Sequence, residues 1–451
     1  MGRPLYTLIV RLLLPVVLAL MWWRGRRHPA LRVPLGERLG GAPATPLPWS
    51  ADQRPLWIHA VSVGEVQAAA GLIAALRLRH PRQPLLLTMA TPTGRARAES
   101  LYRDALTPDA AGFTALALAY APLDLPGATT RFLERVRPIA AIFLETELWP
   151  NLLAGCAARD VRVALVSARL SDRSVRRYLR YAPELVRRTL SGVALIAAQS
   201  DADRLRFLAL GAQPARVAVA GNLKFDMTLP ADLASRASEQ RTRYLGTRRT
   251  WVAGSTREGE EQQCAAAQAQ LETHWRNAGL PLPPPLLVLA PRHPDRFDAV
   301  AASLARGPLA VQRYTAGAEQ VATATSVLLL DTLGELLAFY ATTEIAFVGG
   351  SLVPVGGHNL LEPAALRRPV LSGPHTFNSP DAARLLADAG GLRVVADAAE
   401  LAAALFELFT QPERAAQMAA AAEGTVAASR GAATRSLQLL EAQLPLAASG
   451  S

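Results

Sequence analysis

Apolar positions along the chain follow two alternating rhythms. Short, almost unbroken apolar runs recur at Leu56 to Val61, Pro84 to Met89, Ile139 to Leu144, Val161 to Val166 and Val193 to Ala198, with longer helix-period stretches between them. Runs of that length predict strands buried on both faces, and their alternation with helices is the signature of parallel βαβ units. A polar, Arg-rich helical stretch from Ala231 to Arg249 leads to a second set of strands. These are Thr250 to Gly254, Leu286 to Ala290, Ser326 to Leu330, Ile345 to Val348, Val370 to Ser372 and Leu392 to Val395. The pattern predicts two Rossmann-like, doubly wound sheets facing a cleft, with ligands at the carboxyl ends of the strands. The Ala-rich tail, Ala396 to Gln443, reads as helices that could cross back to the first half.

The first residues break this rhythm. Leu5 to Trp23 is nearly continuous apolar sequence, about as long as a bilayer core requires, and Arg24, Arg26 and Arg27 follow it. A cleaved signal peptide is the rival reading, but the basic residues come after the apolar run and no small-residue cleavage site closes it. The expectation is therefore a membrane anchor, with Trp22 and Trp23 at the interface and the body held cytoplasmic by the Arg cluster. Arg11 and Pro15 weaken a span, which leaves a partly embedded, monotopic helix as the alternative. A Pro/Gly-rich connector runs from Val33 to Trp49. The expected organisation is an anchor over 1–27, an acceptor-binding domain over 28–225 and a nucleotide-sugar-binding domain over 226–451.

Composition narrows the picture only a little. At 451 residues, half of them hydrophobic, 6% aromatic and 19% charged, the chain fits two or three α/β units better than a disordered or fibrous protein. Its net charge of +11 comes almost wholly from Arg, with Lys224 nearly alone among the guanidinium side chains. Guanidinium suits nucleic acid, anionic lipid and phosphorylated substrates alike, so charge does not choose among them. Cys156 and Cys264 stand far apart, without the spacing of a metal site, so no zinc is expected.

Candidate chemistry lies in the turns after the strands. In WIHAVSVGEVQAAA a strand ends at Val61, Gly64 permits a tight turn and Glu65 falls in the first turn of a helix. The plain reading is a first-turn acid favoured by the helix dipole. The functional one is a carboxylate at the carboxyl end of the first strand, placed to accept a proton from an attacking hydroxyl. His59 reads as a packed core residue. MATPTGRARAE offers backbone N–H groups after Thr91, and Arg95, to an anion. FLETELWPN sets Glu145 and Glu147 after a strand, where they meet substrate hydroxyls or simply cap and pack with Trp149. VSARLSDRSVRRY gathers Arg169, Arg173, Arg176 and Arg177, a solvated basic face or a phosphate-binding one. GNLKFD supplies Lys224 near the junction of the halves.

The second half carries APRHPDRF, with Arg292 and His293 after a strand, and DTLGEL, with a glycine at a helix start. Its longest signal is AFVGGSLVPVGGHNLLEPAA, in which two glycine pairs precede His358, Asn359 and Glu362. Paired glycines let backbone approach phosphate, and a Glu early in the following helix suits ribose hydroxyls.

Taken in order, SVGE, TPTG, ETELWPN, ARLSDRS, GNLKFD, PRHP, DTLGEL, FVGGSLVPVGGHNLLEP and GPHTFN resemble the 3-deoxy-D-manno-octulosonic acid (Kdo) transferases of lipopolysaccharide synthesis, over nearly the whole chain. The resemblance implies an α/β fold of the GT-B type, two Rossmann-like domains preceded by an N-terminal anchor helix. It also implies transfer of Kdo from CMP-Kdo to a lipid A precursor, lipid IVA, with inversion and without a metal or other cofactor. The implied setting is the cytoplasmic face of a bacterial inner membrane, with no nucleic acid partner. Matched motif by motif, Glu65 becomes the general base. Pro291, Arg292, Leu333, Gly334, Glu335, Asn359, Leu360, Leu361 and Glu362 become the CMP contacts. Ser62, Gly64, Thr91, Arg169, Lys224, Gly356, Gly357 and His358 become substrate-contact candidates. The chain departs from the family pattern at Ser167, where Asn is expected, and at Ala90, which interrupts a Thr run. The rivals are a GT-B transferase using a UDP-sugar, since fold alone does not choose the nucleotide, and a basic membrane-tethered nucleic-acid-binding protein. The latter lacks aromatics interleaved on a basic face.

Overall fold

In the computed structural model, residues 2–27, 34–43, 46–50, 52–281, 283–317 and 320–446 are described. Val33, where the connector begins, and the side chains of Arg24 and Arg27 lie outside that set. The chain divides into two compact units, 1–228 together with 429–451, and 229–428.

The first unit is built on a seven-stranded parallel sheet in the order β3-β2-β1-β4-β5-β6-β7. Its strands are β1 (Leu56–His59), β2 (Leu85–Met89), β3 (Leu116–Tyr120), β4 (Ala140–Leu144), β5 (Arg162–Ala168), β6 (Val193–Ala198) and β7 (Val217–Val219). β1 lies between β2 and β4, with Leu56 opposite both Leu85 and Ala140. All four residues of β1 are buried, because helices cover both faces of the sheet. Leu56 and Ile58 pack on one face with Leu72, Ile73 and Leu76 of the helix Val63–Arg79. Trp57 packs on the other, its ring 4.8 Å from Phe132 and 5.0 Å from Phe143. His59 is fully buried against Thr88, as expected for a core residue, and burial with the nearby Arg38 charge pushes its pKa down to about 3.

Residues from the end of the chain complete the first core. In the helix Ala432–Gln443, Ala432, Ala433 and Leu440 join the cluster that holds Ile58 and Leu72. Asp226 fastens that helix by accepting the backbone N–H groups of Gly431, at 2.6 Å, and of Ala433.

The second unit repeats the architecture in the order β10-β11-β9-β8-β12-β13-β14. Here the strands are β8 (Thr250–Thr256), β9 (Leu286–Pro291), β10 (Val311–Arg313), β11 (Val327–Leu329), β12 (Ile345–Val348), β13 (Val370–Ser372) and β14 (Leu392–Val394). Three strands carry too little apolar periodicity to stand out in the sequence: β3, rich in alanine, and the short edge-proximal β7 and β10.

In each sheet the chain starts at the centre and winds both ways, so the crevice beside the first strand is the topological switch point. That position falls between β1 and β4 in the first unit and between β8 and β12 in the second.

Candidate active site

At the first switch point Ser62 is the N-cap of the helix Val63–Arg79, and Glu65 stands three residues later. Ser62 Oγ donates to Glu65 Oε1 at 2.8 Å, and the Val61 N–H donates to Glu65 Oε2 at 2.8 Å. The Glu65 N–H in turn donates to Ser62 Oγ at 3.4 Å, so the cap and the carboxylate are bonded to each other, with the Val61 rather than the Ser62 N–H on the carboxylate. Two lone-pair positions of the carboxylate stay available to a substrate proton. Glu65 is only 9% exposed, and burial raises its pKa. Its hydrogen bonds to Val61 and Ser62 oppose that shift, the Glu145 charge adds to it, and the Lys224 charge works against it. Gly64 is not needed for the turn: it lies inside the helix without a positive φ, and a Cβ there would meet only Ser62 Oγ at 3.9 Å.

The loop after β4 brings two more acids to the same place. Glu145 has φ 55, a left-handed conformation uncommon for a residue with a side chain. Its Oε1 accepts from Lys224 Nζ at 2.6 Å. Glu147 accepts from Trp149 Nε1 at 2.5 Å, and the Trp149 ring stands edge-on to His59 at 5.2 Å. Burial first, then the charge of Glu65, pushes the Glu147 carboxyl up to about 7. Three carboxylates and the one lysine of the chain thus form a single cluster.

Lys224 is placed by a relay from β5. Ser167 Oγ accepts the Leu223 N–H at 3.2 Å, and Asn222 Oδ1 accepts the Lys224 N–H at 2.9 Å. Ser167 itself has φ 52, which explains why Asn, a residue tolerant of that region, suits this position. Arg169 is half-buried just past β5, its carbonyl accepting from Thr146.

The Thr91 turn follows β2, next to β1, and the Ala90 N–H donates to Val61 O at 3.1 Å. Thr91 caps the helix Pro92–Leu101, so the Gly94 N–H is already bonded to Thr91 Oγ1. Arg95 pairs through Nε with Glu99 at 3.0 Å and lies over Tyr120, while its buried Nη1 has no hydrogen-bond partner. Arg173, Arg176 and Arg177 are exposed on the helix Asp172–Tyr181.

In the second unit, the predicted motifs meet at the carboxyl edge of β11, β9, β8 and β12. Pro291 closes β9, and the Arg292 N–H bonds Thr256 O at the end of β8. Arg257 donates to His293 Nε2. Burial, then the charges of Arg292 and Arg257, pushes His358 down to about 4. Burial and Arg257 likewise lower His293. Two guanidinium groups and two neutral imidazoles therefore share one neighbourhood, an arrangement suited to a phosphate.

Glu260 builds the frame beneath them. This fully buried carboxylate accepts from the backbone N–H groups of Arg257 (2.9 Å), Gly350 (2.5 Å), Ser351 (2.8 Å) and Leu352 (2.8 Å). Gly350 needs its glycine: φ is 71, and a Cβ would come within 2.8 Å of the His358 ring. Gly356 and Gly357 also have positive φ, 106 and 75.

Asn359 is exposed and bonds the Leu361 N–H and Glu362, opening the short helix Leu361–Ala365, while Leu360 and Leu361 are buried beneath it. Leu333 is exposed beside Gly334 (φ 93), and Glu335 is held by Gln240 and Arg236. Sequence reasoning missed Arg257 and Glu260, because Arg257-Glu258-Gly259-Glu260-Glu261 reads as a solvated charge run. The only available signal was its place directly after a strand.

Two doubly wound parallel sheets, one with a carboxylate cluster and the other with a group of Arg and His side chains at its switch point, give the chain the architecture of the GT-B type. The model of the 3-deoxy-D-manno-octulosonic-acid transferases matches residues 34–227. The chain is 41% identical over 444 residues to a 3-deoxy-D-manno-octulosonic acid transferase of Bordetella pertussis, covering 98% of this chain and 99% of that one. It is 35% identical over 447 residues to the Haemophilus influenzae transferase of the same description, again covering 98% and 99%. In fold it is similar to the UDP-GlcNAc 2-epimerase of Neisseria meningitidis, with a TM-score of 0.56 at 13% identity, covering 86% of this chain and 100% of that one. This chain belongs to the Kdo transferase family.

Proposed function

We propose that the protein transfers Kdo from CMP-Kdo to a hydroxyl of a lipid A precursor, lipid IVA, with inversion at the anomeric carbon. The proposed setting is the cytoplasmic face of a bacterial inner membrane, to which the apolar helix of residues 3–23 holds it. The observation that carries the reading is Glu65, a buried carboxylate of raised pKa at the switch point of a Kdo transferase family chain.

Glu65 takes the proton of the acceptor O–H, and the freed oxygen forms the new bond to the anomeric carbon. The bond from that carbon to the phosphate oxygen breaks, and its electron pair leaves with CMP. Lys224 and Arg169 are the residues proposed to meet the substrates' anionic groups. Arg257, Arg292, His293 and His358 hold the phosphate, while Pro291, the Leu333–Glu335 turn and Asn359–Glu362 frame the nucleoside. No metal enters this scheme, because cations and directed N–H groups supply the charge stabilisation a leaving phosphate requires.

The test is incubation with CMP-Kdo and a tetraacylated lipid A precursor, followed by mass spectrometry of the lipid. Product carrying the Kdo mass increment is expected, and Glu65→Gln should lower the rate on the order of 100-fold or more. Near-normal transfer by a folded Glu65→Gln protein would overturn the base assignment. Product from a UDP-sugar but not from CMP-Kdo would overturn the donor.

A further inference from the structure

The N-terminal helix, Arg3–Arg27, is tied to the first unit near its own first turn. Tyr6 Oη donates to Asp124 Oδ2 at 2.8 Å, and Thr7 Oγ1 donates to Asn151 Oδ1 at 2.8 Å. Asp124 also accepts the backbone N–H of Leu152 at 2.7 Å and of Asn151 at 3.3 Å. It thereby caps the helix Pro150–Ala157, whose own N-cap residue, Trp149, supplies no side-chain bond. At the other end the chain leaves the helix at Arg27 and is back in the fold by the turn Leu35–Arg38. There Glu37 accepts the Tyr120 N–H at 2.6 Å, and Arg38 O accepts the Leu123 N–H at 2.7 Å.

These two attachments are incompatible with a helix that crosses a bilayer. From Tyr6 to Arg27 the helix is about 32 Å long at 1.5 Å per residue. The hydrocarbon core it would cross is about 30 Å thick. If the Arg27 end were on the side of the folded unit, Tyr6 would lie at the far surface, out of reach of Asp124. If the Tyr6 end were on that side, the seven steps from Arg27 to Pro34 would have to recross the core, and fully extended they reach only about 25 Å. They would also carry unpaired backbone polar groups through hydrocarbon.

The faces of the helix fit another placement. Tyr6 and Thr7, then Val10, Leu14, Leu18 and Met21 at steps of three or four residues, are half-buried and form one stripe. Opposite them Leu5, Leu12, Val16, Leu20 and Trp23 are between 46% and 69% exposed, a continuous apolar face. Arg11, which a crossing helix would carry into the hydrocarbon, is exposed. On a helix lying flat its guanidinium reaches the headgroup phosphates.

We propose that Arg3–Arg27 lies in the plane of a single membrane leaflet alongside the first unit and does not cross the bilayer. Its outward apolar face occupies the boundary between headgroups and acyl chains. The Tyr6–Asp124 and Thr7–Asn151 bonds then latch the leaflet-bound helix to the segment that follows Glu145, Glu147 and Trp149. The acid cluster is thereby held at the membrane surface, where a lipid-borne hydroxyl arrives. This inference rests on the membrane setting proposed above.

It is tested with two single variants of the full chain, Gly2→Cys and Arg26→Cys, both at exposed positions, in sealed inside-out vesicles from the expressing cells. The probe is a membrane-impermeant maleimide, to which the buried Cys156 and Cys264 are closed. Both variants should label equally without detergent, from the side that carries the folded units. Labelling of either variant only after detergent opens the vesicles would overturn the in-plane helix while leaving the membrane setting intact. Failure of the unsubstituted protein to float with the vesicles would instead overturn the membrane setting, and this inference with it.

Discussion

Lys224 donates to Glu145 at 2.6 Å, and its charge also reaches Glu65, whose ionised form it stabilises. Replacing it by methionine removes that stabilisation, so Glu65 should ionise at higher pH. In Lys224→Met the acid limb of the kcat/KM profile should therefore move to higher pH, and a limb that stays in place or moves down contradicts the electrostatic coupling. Glu147 works in the opposite direction on stability. Its carboxyl titrates at about 7 in the fold, against an ordinary 4.5, so the folded state holds the proton more tightly than the unfolded chain does. Its contribution to stability therefore falls as pH rises from 4.5 through about 7. Discounted for partial exposure, the loss is about 2 kcal/mol. Glu147→Gln should raise the melting temperature at pH 8 by several degrees and leave it nearly unchanged at pH 4.5. At this scale the sequence showed which residues carry charge and where they stand after strands. It did not show that Glu65, Glu145 and Glu147 share one site. Their mutual field is a consequence of strands β1 and β4 being neighbours, although about eighty residues of chain separate them.

Among the elements, the segment after β8 shows how local reading fails. Arg257-Glu258-Gly259-Glu260-Glu261 has the composition of a solvated turn, yet Glu260 and Glu261 are both fully buried. Glu260 satisfies four backbone N–H groups, three of them from the loop after β12, so it fixes the paired-glycine turn beside His358. Glu260→Ala would leave those donors buried and unpaired, at a cost on the order of 3 kcal/mol or more. The second unit should melt earlier, and calorimetric titration should show CMP binding lost or sharply weakened. Unchanged CMP affinity would mean the turn holds itself. By contrast, the place of Glu65 in the first turn of a helix was legible from residues alone, because an acid there answers the local dipole of the helix itself. At the Thr91 turn the sequence did not show that Thr91 Oγ1 bonds the Gly94 N–H or that Glu99 bonds Arg95 Nε, since both depend on side-chain placement within the folded turn.

For the whole molecule, the last helix is the informative element. Ala432, Ala433, Leu440 and Leu444 complete a core whose other members lie between Leu56 and Leu223, and Asp226 caps the approach to that helix. A chain ending at residue 428 should expose this surface, so its first unit should lose its cooperative melting transition while the second, residues 229–428, keeps its own. Two intact transitions in the truncated protein would contradict the packing. The sequence by itself determined the class of the fold, because buried parallel strands and amphipathic helices write their periods directly into the pattern of apolar residues. It also determined the family, through motifs whose residues stand close together along the chain. Only the tertiary structure decided that the tail belongs to the first core, that Glu260 binds the loop after β12 beside Arg257, and that Tyr6 of the apolar helix is bonded to Asp124. Each of these joins residues distant in sequence, and such contacts arise from packing and buried hydrogen bonding rather than from any local preference of the chain.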